Sequence, residues 1–334
     1  MPIGEPNQFS SKPDSGARNT QEKIRLIVNP RAGGGRAGAQ LDRLKQLTDR
    51  AFEQWDIQVT EAPGHASLLA REAAENGFDI VAAVGGDGTC HEVVNGLVQD
   101  GRAIRKGTAF TVVPFGTGSD LVRSLGIPTR TEEALWIAAT GISLPSDLGL
   151  ATMTVDGTEE NEVFVNVAGF GANGEVAQLS NQSSKRFGGT ATFVSATLKT
   201  LVSYIPRRVT LTIEGPNGTV EGEDDLMSAF VANGHYCGSG MFVGSGGSMQ
   251  DGLLDVSVLK PSPLIRQAID FRRLYDGTLH KAHGASRTAA TRISARAVDG
   301  HPIPIELDGE TRGTLPAQFD VLPKALNMRG AWVG

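Results

Sequence analysis

The chain has 334 residues, with 31 lysines and arginines against 37 aspartates and glutamates, for a net charge of −6. That length predicts two domains, each with enough chain for a proper core. An acidic balance without a basic cluster excludes nucleic acid as partner, the lack of an uncharged apolar run of about 18 residues excludes a membrane-spanning helix, and two cysteines are too few for a disulfide framework.

Residues 1–21 are polar, rich in Ser, Pro, Asn and Gly, and read as a disordered tail without the apolar core of a signal peptide. From 22 to 142 the pattern alternates as an α/β domain with a parallel sheet. Strands are expected near 24–29, 56–61, 79–84 and 109–114, and helices near 36–54, 65–76, 89–99 and 131–140. The first helix carries Leu41, Leu44, Leu47, Ala51 and Trp55 on one face. The last opens on a capping box, Thr129 with Glu132, and ends at Gly141.

Three of these strands run into glycine turns. Leu26-Ile27-Val28 leads to Asn29-Pro30 and Gly33-Gly34-Gly35; Ile80 to Val84 leads to Gly85-Gly86-Asp87-Gly88-Thr89; Phe110 to Pro114 leads to Phe115-Gly116-Thr117-Gly118-Ser119-Asp120. Glycines remove every Cβ, so backbone N–H groups can approach a phosphate, and a helix N-terminus adds positive charge. An acid in such a turn, Asp87, suits a metal ion that bridges to phosphates. The plainer reading of each turn is a strand-to-helix connection in which Gly supplies only a positive φ. Thr117 and Ser119 can donate to phosphate oxygens, while Asp120 either caps the next helix or assists a metal. No Gly-Lys-Ser/Thr follows, so this is not a P-loop, and the dinucleotide G-x-G-x-x-G is not cleanly met. Turns at strand C-terminal ends bind ligands in open α/β sheets, so the three should converge on one edge. Thr60 ends the second strand there, as a helix-entry residue or a nucleotide contact. Cys90 beside the second turn reads as a small helix residue, and reduced thiols place the protein in the cytoplasm.

Beyond Gly141 the texture changes to alternating strands with Gly, Asn and Asp turns, as in Val209 to Ile213 and Leu254 to Leu259. Residues 143–334 are read as a mostly antiparallel β-domain carrying one or two helices, one over 260–280, with a hinge near 141–146. A further helix over 185–208 is apolar on most faces with cations at both ends, and either dips into a bilayer surface or is a core helix.

The glycine turns, with Ser146-Asp147-Leu148-Gly149, Asp251-Gly252-Leu253 and Leu307-Asp308-Gly309-Glu310 in the same order, resemble the diacylglycerol kinase catalytic-domain family, which includes bacterial lipid kinases and sphingosine kinases. The resemblance spans about 23–330. It implies a NAD kinase/phosphofructokinase-like α/β domain, a β-rich lipid-substrate domain whose last residues pack back on the first, and an active site in the interdomain cleft. It also implies ATP and Mg2+, a lipid substrate met by peripheral contact at a membrane surface, and leaves a homodimer open. Asn29, Thr60, Gly85, Gly86, Asp87, Gly88, Thr89, Gly116, Thr117 and Asp120 would hold the nucleotide, with Asp87 on magnesium. Asp308, by itself a plain Asp-Gly hairpin turn, looks like the general base, with Glu310 as its partner; Asp87 is the other candidate for the base. Ser248, Asp251 and Leu253 lie where the family places a structural magnesium, or form a simple turn. His91 departs from the Asn usual in bacterial members, Ser119 from Asn, and Gly247-Ser248-Met249 from Pro-Asn-Ala. The expected activity is transfer of the ATP γ-phosphoryl group to diacylglycerol or a related glycerolipid, with a sphingoid base second. The alternatives are a NAD kinase-like enzyme, poorly matched because no acid adjoins Asn95, and a non-catalytic nucleotide-binding regulator, which would have lost Asp308 and Glu310.

Overall fold

The computed structural model describes residues 20–116, 120–182, 203–244 and 246–332, together with Thr197 and Thr200. Thr117, Ser119 and most of the 185–208 segment, Phe193 included, lie outside the described residues.

Four parallel strands build the first half: β1 (Thr20–Val28), β2 (Phe52–Val59), β3 (Ile80–Gly85) and β4 (Ala109–Pro114), in the order β2-β1-β3-β4. β3 and β4 are buried at every position, which is why they read as unbroken apolar runs. Around them lie α1 (Arg36–Ala39), α2 (Leu41–Ala51), α3 (His65–Glu75), α4 (Asp87–Leu97), α5 (Asp120–Ser124) and α6 (Thr131–Thr140). Leu44 of α2, Ala70 of α3, Val93 of α4 and Leu135 of α6 join Leu26, Ala82 and Val112 in one core.

Some boundaries differ from expectation. Thr20 and Gln21 begin β1 rather than ending a tail, because Thr20 pairs with Phe52. The helix expected over 36–54 stops at Ala51, and the buried Phe52 opens β2. Trp55 therefore reaches the core from a strand, although its spacing from Ala51 suits a helix. α6 is entered through Arg130 without a side-chain cap, so the Thr129–Glu132 box does not form.

The second half comprises β5 (Ile142–Val155), β6 (Thr158–Phe164), β7 (Val167–Gly171), α7 (Ala172–Gln182), β8 (Arg207–Gly215), β9 (Gly218–Leu226), β10 (Ser228–Ala232), β11 (Leu254–Leu259), α8 (Leu264–Asp270), β12 (Ala285–Ala290), β13 (Arg292–Ala297), β14 (Pro304–Leu307) and β15 (Glu310–Gly330). The strand pairs within this half are antiparallel. Its core is centred on Phe319, which stacks on Phe170 at 5.9 Å and meets Phe164 edge-on at 6.3 Å. The expected helix over 260–280 shrinks to α8 and two 3-10 turns, Phe271–Leu274 and Leu279–Lys281. Pro261 and Pro263 stand ahead of it and Gly277 interrupts it.

β15 ties the halves together. It is 21 residues long, and at its far end Asn327 and Met328 pair in parallel with Ala109 and Phe110 of β4. The result is one continuous sheet of 15 strands among the described residues. The stretch expected as a hinge is paired strand instead, with Ile142 opposite Gly330 and Ser146 opposite Leu326. No helix among the described residues is long and apolar enough to cross a membrane.

Candidate active site

Because β1 to β4 are parallel, their C-terminal ends share one edge, and the structure brings Asn29, Thr60, Gly85, Gly86 and Gly116 to it. The loops are fastened to each other. Asn29 Nδ2 donates to Thr89 Oγ1 at 3.2 Å, and Thr60 N donates to the Val28 carbonyl at 2.9 Å. Gly86 and Gly116 meet backbone to backbone: a Cβ on Gly116 would stand 2.6 Å from the Gly86 Cα. These two glycines are thus required by loop-on-loop packing, whereas the expectation from sequence was bare approach to a phosphate.

Asp87 opens α4 and its Oδ1 accepts the Leu121 N–H at 3.3 Å, so it steadies the start of α5. Burial pushes its carboxyl up, the Leu121 and Asp120 N–H groups oppose this, and the Asp308 charge pushes it further up. Asp120 does not cap its own helix among the described residues. Its Oδ2 accepts Ser239 N–H at 2.8 Å and its Oδ1 faces Arg123 at 3.3 Å. Burial, then the Asp87 charge, raise Asp120 to about 7, against the Ser239 N–H and Arg123.

Asp308 arrives from the second half on the two-residue turn between β14 and β15, with φ of 52° there and 86° at Gly309, the left-handed pair that a tight Asp-Gly hairpin needs. The plain turn expected from Asp-Gly and the candidate residue Asp308 are therefore the same object. The Asp308 Oδ1 accepts N–H bonds from Asn166 at 2.8 Å and Val167 at 3.2 Å, and Oδ2 accepts Val165 N–H at 2.9 Å and bonds His91 Nδ1 at 2.8 Å. Its side chain is only 1% exposed. Glu310 lies against the α4 N-terminus, where a Cβ on Gly88 would stand 3.0 Å from Glu310 Oε1. Beneath the turn, Glu306 accepts the Gly309 N–H at 2.8 Å, and burial raises its carboxyl to about 8.

Sequence reasoning noticed His91 only as a departure, held Asn166 only within a weaker echo of the family, Phe164 to Gly171, and missed Glu162. His91 is buried and bridges Asp308 to Glu162, each at 2.8 Å. Burial acts to lower its pKa, but the bonds to Asp308 and Glu162 and their charges outweigh this and raise it to about 9. Glu162 also meets Arg312 at 3.3 Å and opens on a cavity of about 420 Å³ lined by Asn95, Glu160, Thr311 and Arg312. The signal was present: His91 follows Asp87 by four residues, one turn along the same helix face. Asn166 accepts from Ser124 at 3.2 Å and donates to the Tyr236 carbonyl, joining α5 to the second half. Cys90 is buried, and burial followed by the Asp87 and Asp308 charges pushes its thiol well up, which removes it as a nucleophile.

Among the described residues no cluster of three or more His, Cys, Asp or Glu side chains has metal-ligand geometry. Magnesium needs only one or two carboxylates beside phosphate oxygens and waters. Asp87, raised by burial and by like charge, fits that donor set. The Asp251 loop fits an ion less well: its Oδ2 accepts Ser248 N–H and its Oδ1 accepts Leu253 N–H, both at 3.0 Å. The buried Asp147 closes the same loop, accepting Gly252 N–H and Lys324 N–H at 2.7 Å.

This chain is similar to known proteins over most of its length. The description "Diacylglycerol kinase catalytic domain" matches residues 23–151, and "YegS C-terminal NAD kinase beta sandwich-like domain" matches residues 166–330. A diacylglycerol kinase of Bacillus subtilis is 30% identical over 89% of this chain and 93% of its own. A protein of Stenotrophomonas maltophilia named "Probable lipid kinase YegS-like" is 27% identical over 92% of this chain and 96% of its own. A solved diacylglycerol kinase structure from Bacillus anthracis has the same fold, with a TM-score of 0.69 at 24% identity over 93% of this chain and 98% of that one. The mutually fastened loops and the acid carried to them by the second half thus stand in a kinase, and the chain belongs to the diacylglycerol kinase catalytic-domain family.

Proposed function

We propose that the protein transfers the γ-phosphoryl group of ATP to the hydroxyl of diacylglycerol or a related glycerolipid. The observation that carries this reading is the meeting of the glycine loops of β1, β3 and β4 with Asp308 and Glu310 of the second half. The backbone at Gly85, Gly86 and Gly116, with Asn29, Thr60, Gly88 and Thr89, receives the phosphates. Thr117 is assigned to the same contact by its place in the motif, and Asp120 ties this edge to Ser239 of the second half.

Phosphoryl transfer is mostly positioning and charge neutralisation, and the proton leaves the attacking hydroxyl late. The lipid oxygen bonds to the γ-phosphorus as the bridging bond to the β-phosphate breaks, and ADP departs. Asp308 takes the hydroxyl proton, with its orientation set by three backbone N–H groups and His91. All four bonds occupy its oxygens, so the hydroxyl reaches it by replacing one donor. Glu310, against Gly88, steers that hydroxyl. Asp87 would hold a magnesium ion, whose chemistry when bound would be to neutralise phosphate charge.

The test is phosphorylation with labelled ATP of diacylglycerol, a sphingoid base and NAD, each with and without magnesium. Phosphatidic acid as main product is expected. Asp308→Asn should lower turnover by about a hundredfold or more at similar ATP affinity. Its melting temperature is measured alongside, because the new amide faces N–H donors and costs about 1–3 kcal/mol. Efficient phosphorylation of NAD with no lipid product would overturn the reading.

A further inference from the structure

The segment 264–283 carries an apolar surface that nothing among the described residues covers. Leu264, Ile265 and Ile269 of α8 are 54%, 77% and 53% exposed, and Tyr275 just beyond is 40% exposed. Four of the eleven large apolar side chains exposed among the described residues thus fall within twelve residues. Ile265 and Ile269 stand one turn apart and share a face. Scattered exposed apolar residues need no explanation, whereas a cluster of this kind marks a contact.

The charge around the cluster indicates the partner. Residues 260–283 hold five lysines and arginines against two aspartates, in a chain of net charge −6. Asp270 is engaged by Arg273 at 2.7 Å and by the His283 N–H at 3.0 Å, and Asp276 is turned onto Thr278. Arg266, Arg272 and Lys281, in the same segment as the isoleucines, are exposed. An apolar face ringed by cations is the chemistry that an anionic bilayer surface recognises.

Position supports the same partner. Leu279 packs in a small core with Met241 and Val243, and a Cβ on Gly277 would stand 2.8 Å from the Phe242 ring. That ribbon, Tyr236–Cys237 with Met241–Phe242, turns at Ser239, whose N–H bonds Asp120. The apolar face is therefore one layer from the glycine-loop edge. A bilayer against it lies beside the edge that carries the proposed nucleotide site.

We infer that Leu264, Ile265, Ile269 and Tyr275, ringed by Arg266, Arg272 and Lys281, form the surface by which the protein docks on an anionic phospholipid membrane. The inference rests on the lipid-kinase reading above and gives that activity its platform.

The test is flotation of the full chain with vesicles of phosphatidylcholine alone or with phosphatidylglycerol as about a third of the lipid. The wild type should bind the anionic vesicles and release them in high salt. Ile265→Glu with Ile269→Glu should lower the partition at least tenfold, and Arg272→Ala roughly fivefold. Turnover of a short-chain diacylglycerol below its aggregation limit should not change in either variant. Unchanged partition of the double variant, or a solution dimer that this variant splits, overturns the docking surface. Vesicle binding by a wild type that phosphorylates no lipid overturns the kinase reading and leaves the surface standing.

Discussion

At the scale of single residues, the centre of this molecule is the chain Asp308–His91–Glu162, which crosses from the turn of the second half through α4, the helix that follows the second glycine loop. His91 gains two carboxylate partners on folding, and these raise its pKa to about 9 although burial acts the other way. The folded state therefore binds a proton that the unfolded chain gives up near the ordinary histidine value of about 6.5. The stability from this group is fully present below about pH 6.5 and lost as pH rises through about 9. His91→Asn should remove that slope, so the melting temperatures of wild type and variant should converge between about pH 7 and about pH 10. A wild type whose melting temperature stays level across that window would show that His91 is not held charged.

At the scale of elements, β15 decides how the chain closes, and it was the hardest element to foresee. Pro316 and Pro323 interrupt its sequence, and proline is ordinarily excluded from central strands. The structure accommodates them at irregularities, with register shifts between Thr314 and Ala317 and between Leu322 and Leu326. β3 and β4 were legible because both faces are buried, leaving nothing but apolar residues to read. The glycine-loop edge was legible for the same reason, since it follows from where those strands end. His91 shares the Asp87 face of its helix, but its bonds to Asp308 and Glu162, 217 and 71 positions away, and the bond of Asn166 to Tyr236, 70 positions away, follow no local pattern. Near its end β15 buries Arg329, which holds Glu22 of β1 through two bonds of 2.7 Å, Ser143 of β5 at 2.8 Å and the Ala138 carbonyl at 3.0 Å. Four elements meet on one guanidinium. Arg329→Ala should destabilise the protein by about 2–4 kcal/mol, since it strips a bidentate pair and leaves a carbonyl without its donor. Chemical denaturation measures this. A loss below about 0.5 kcal/mol would mean that the strand pairing alone holds the closure.

At the scale of the whole molecule, the question is whether two lobes with separate cores respond as one. The cores are distinct: one gathers around β1, β3 and β4, the other around Phe164, Phe170 and Phe319. Yet β15 pairs with β14, β13 and β5 in the second half and with β4 in the first, and Asp308 and Asn166 bond across the junction. Loss of the first half would leave the Asp308 and Glu162 carboxylates without His91 and β15 without its parallel partner. Such coupling favours one cooperative transition, even in a chain long enough to unfold in two. The proposed nucleotide site spans the same junction, so Mg-ATP should raise that single transition as a unit. At a hundred times its dissociation constant the ligand adds about 2.7 kcal/mol, which for a chain of this size moves the midpoint by several degrees. Chelation of magnesium should abolish most of the rise, and Asp87→Asn should blunt it in the same way, because Asp87 is the carboxylate assigned to the ion. Scanning calorimetry with and without ATP, magnesium and a chelator decides the matter. Two separate endotherms, of which ATP shifts only one, would show that the lobes are joined by the sheet but not by its energetics.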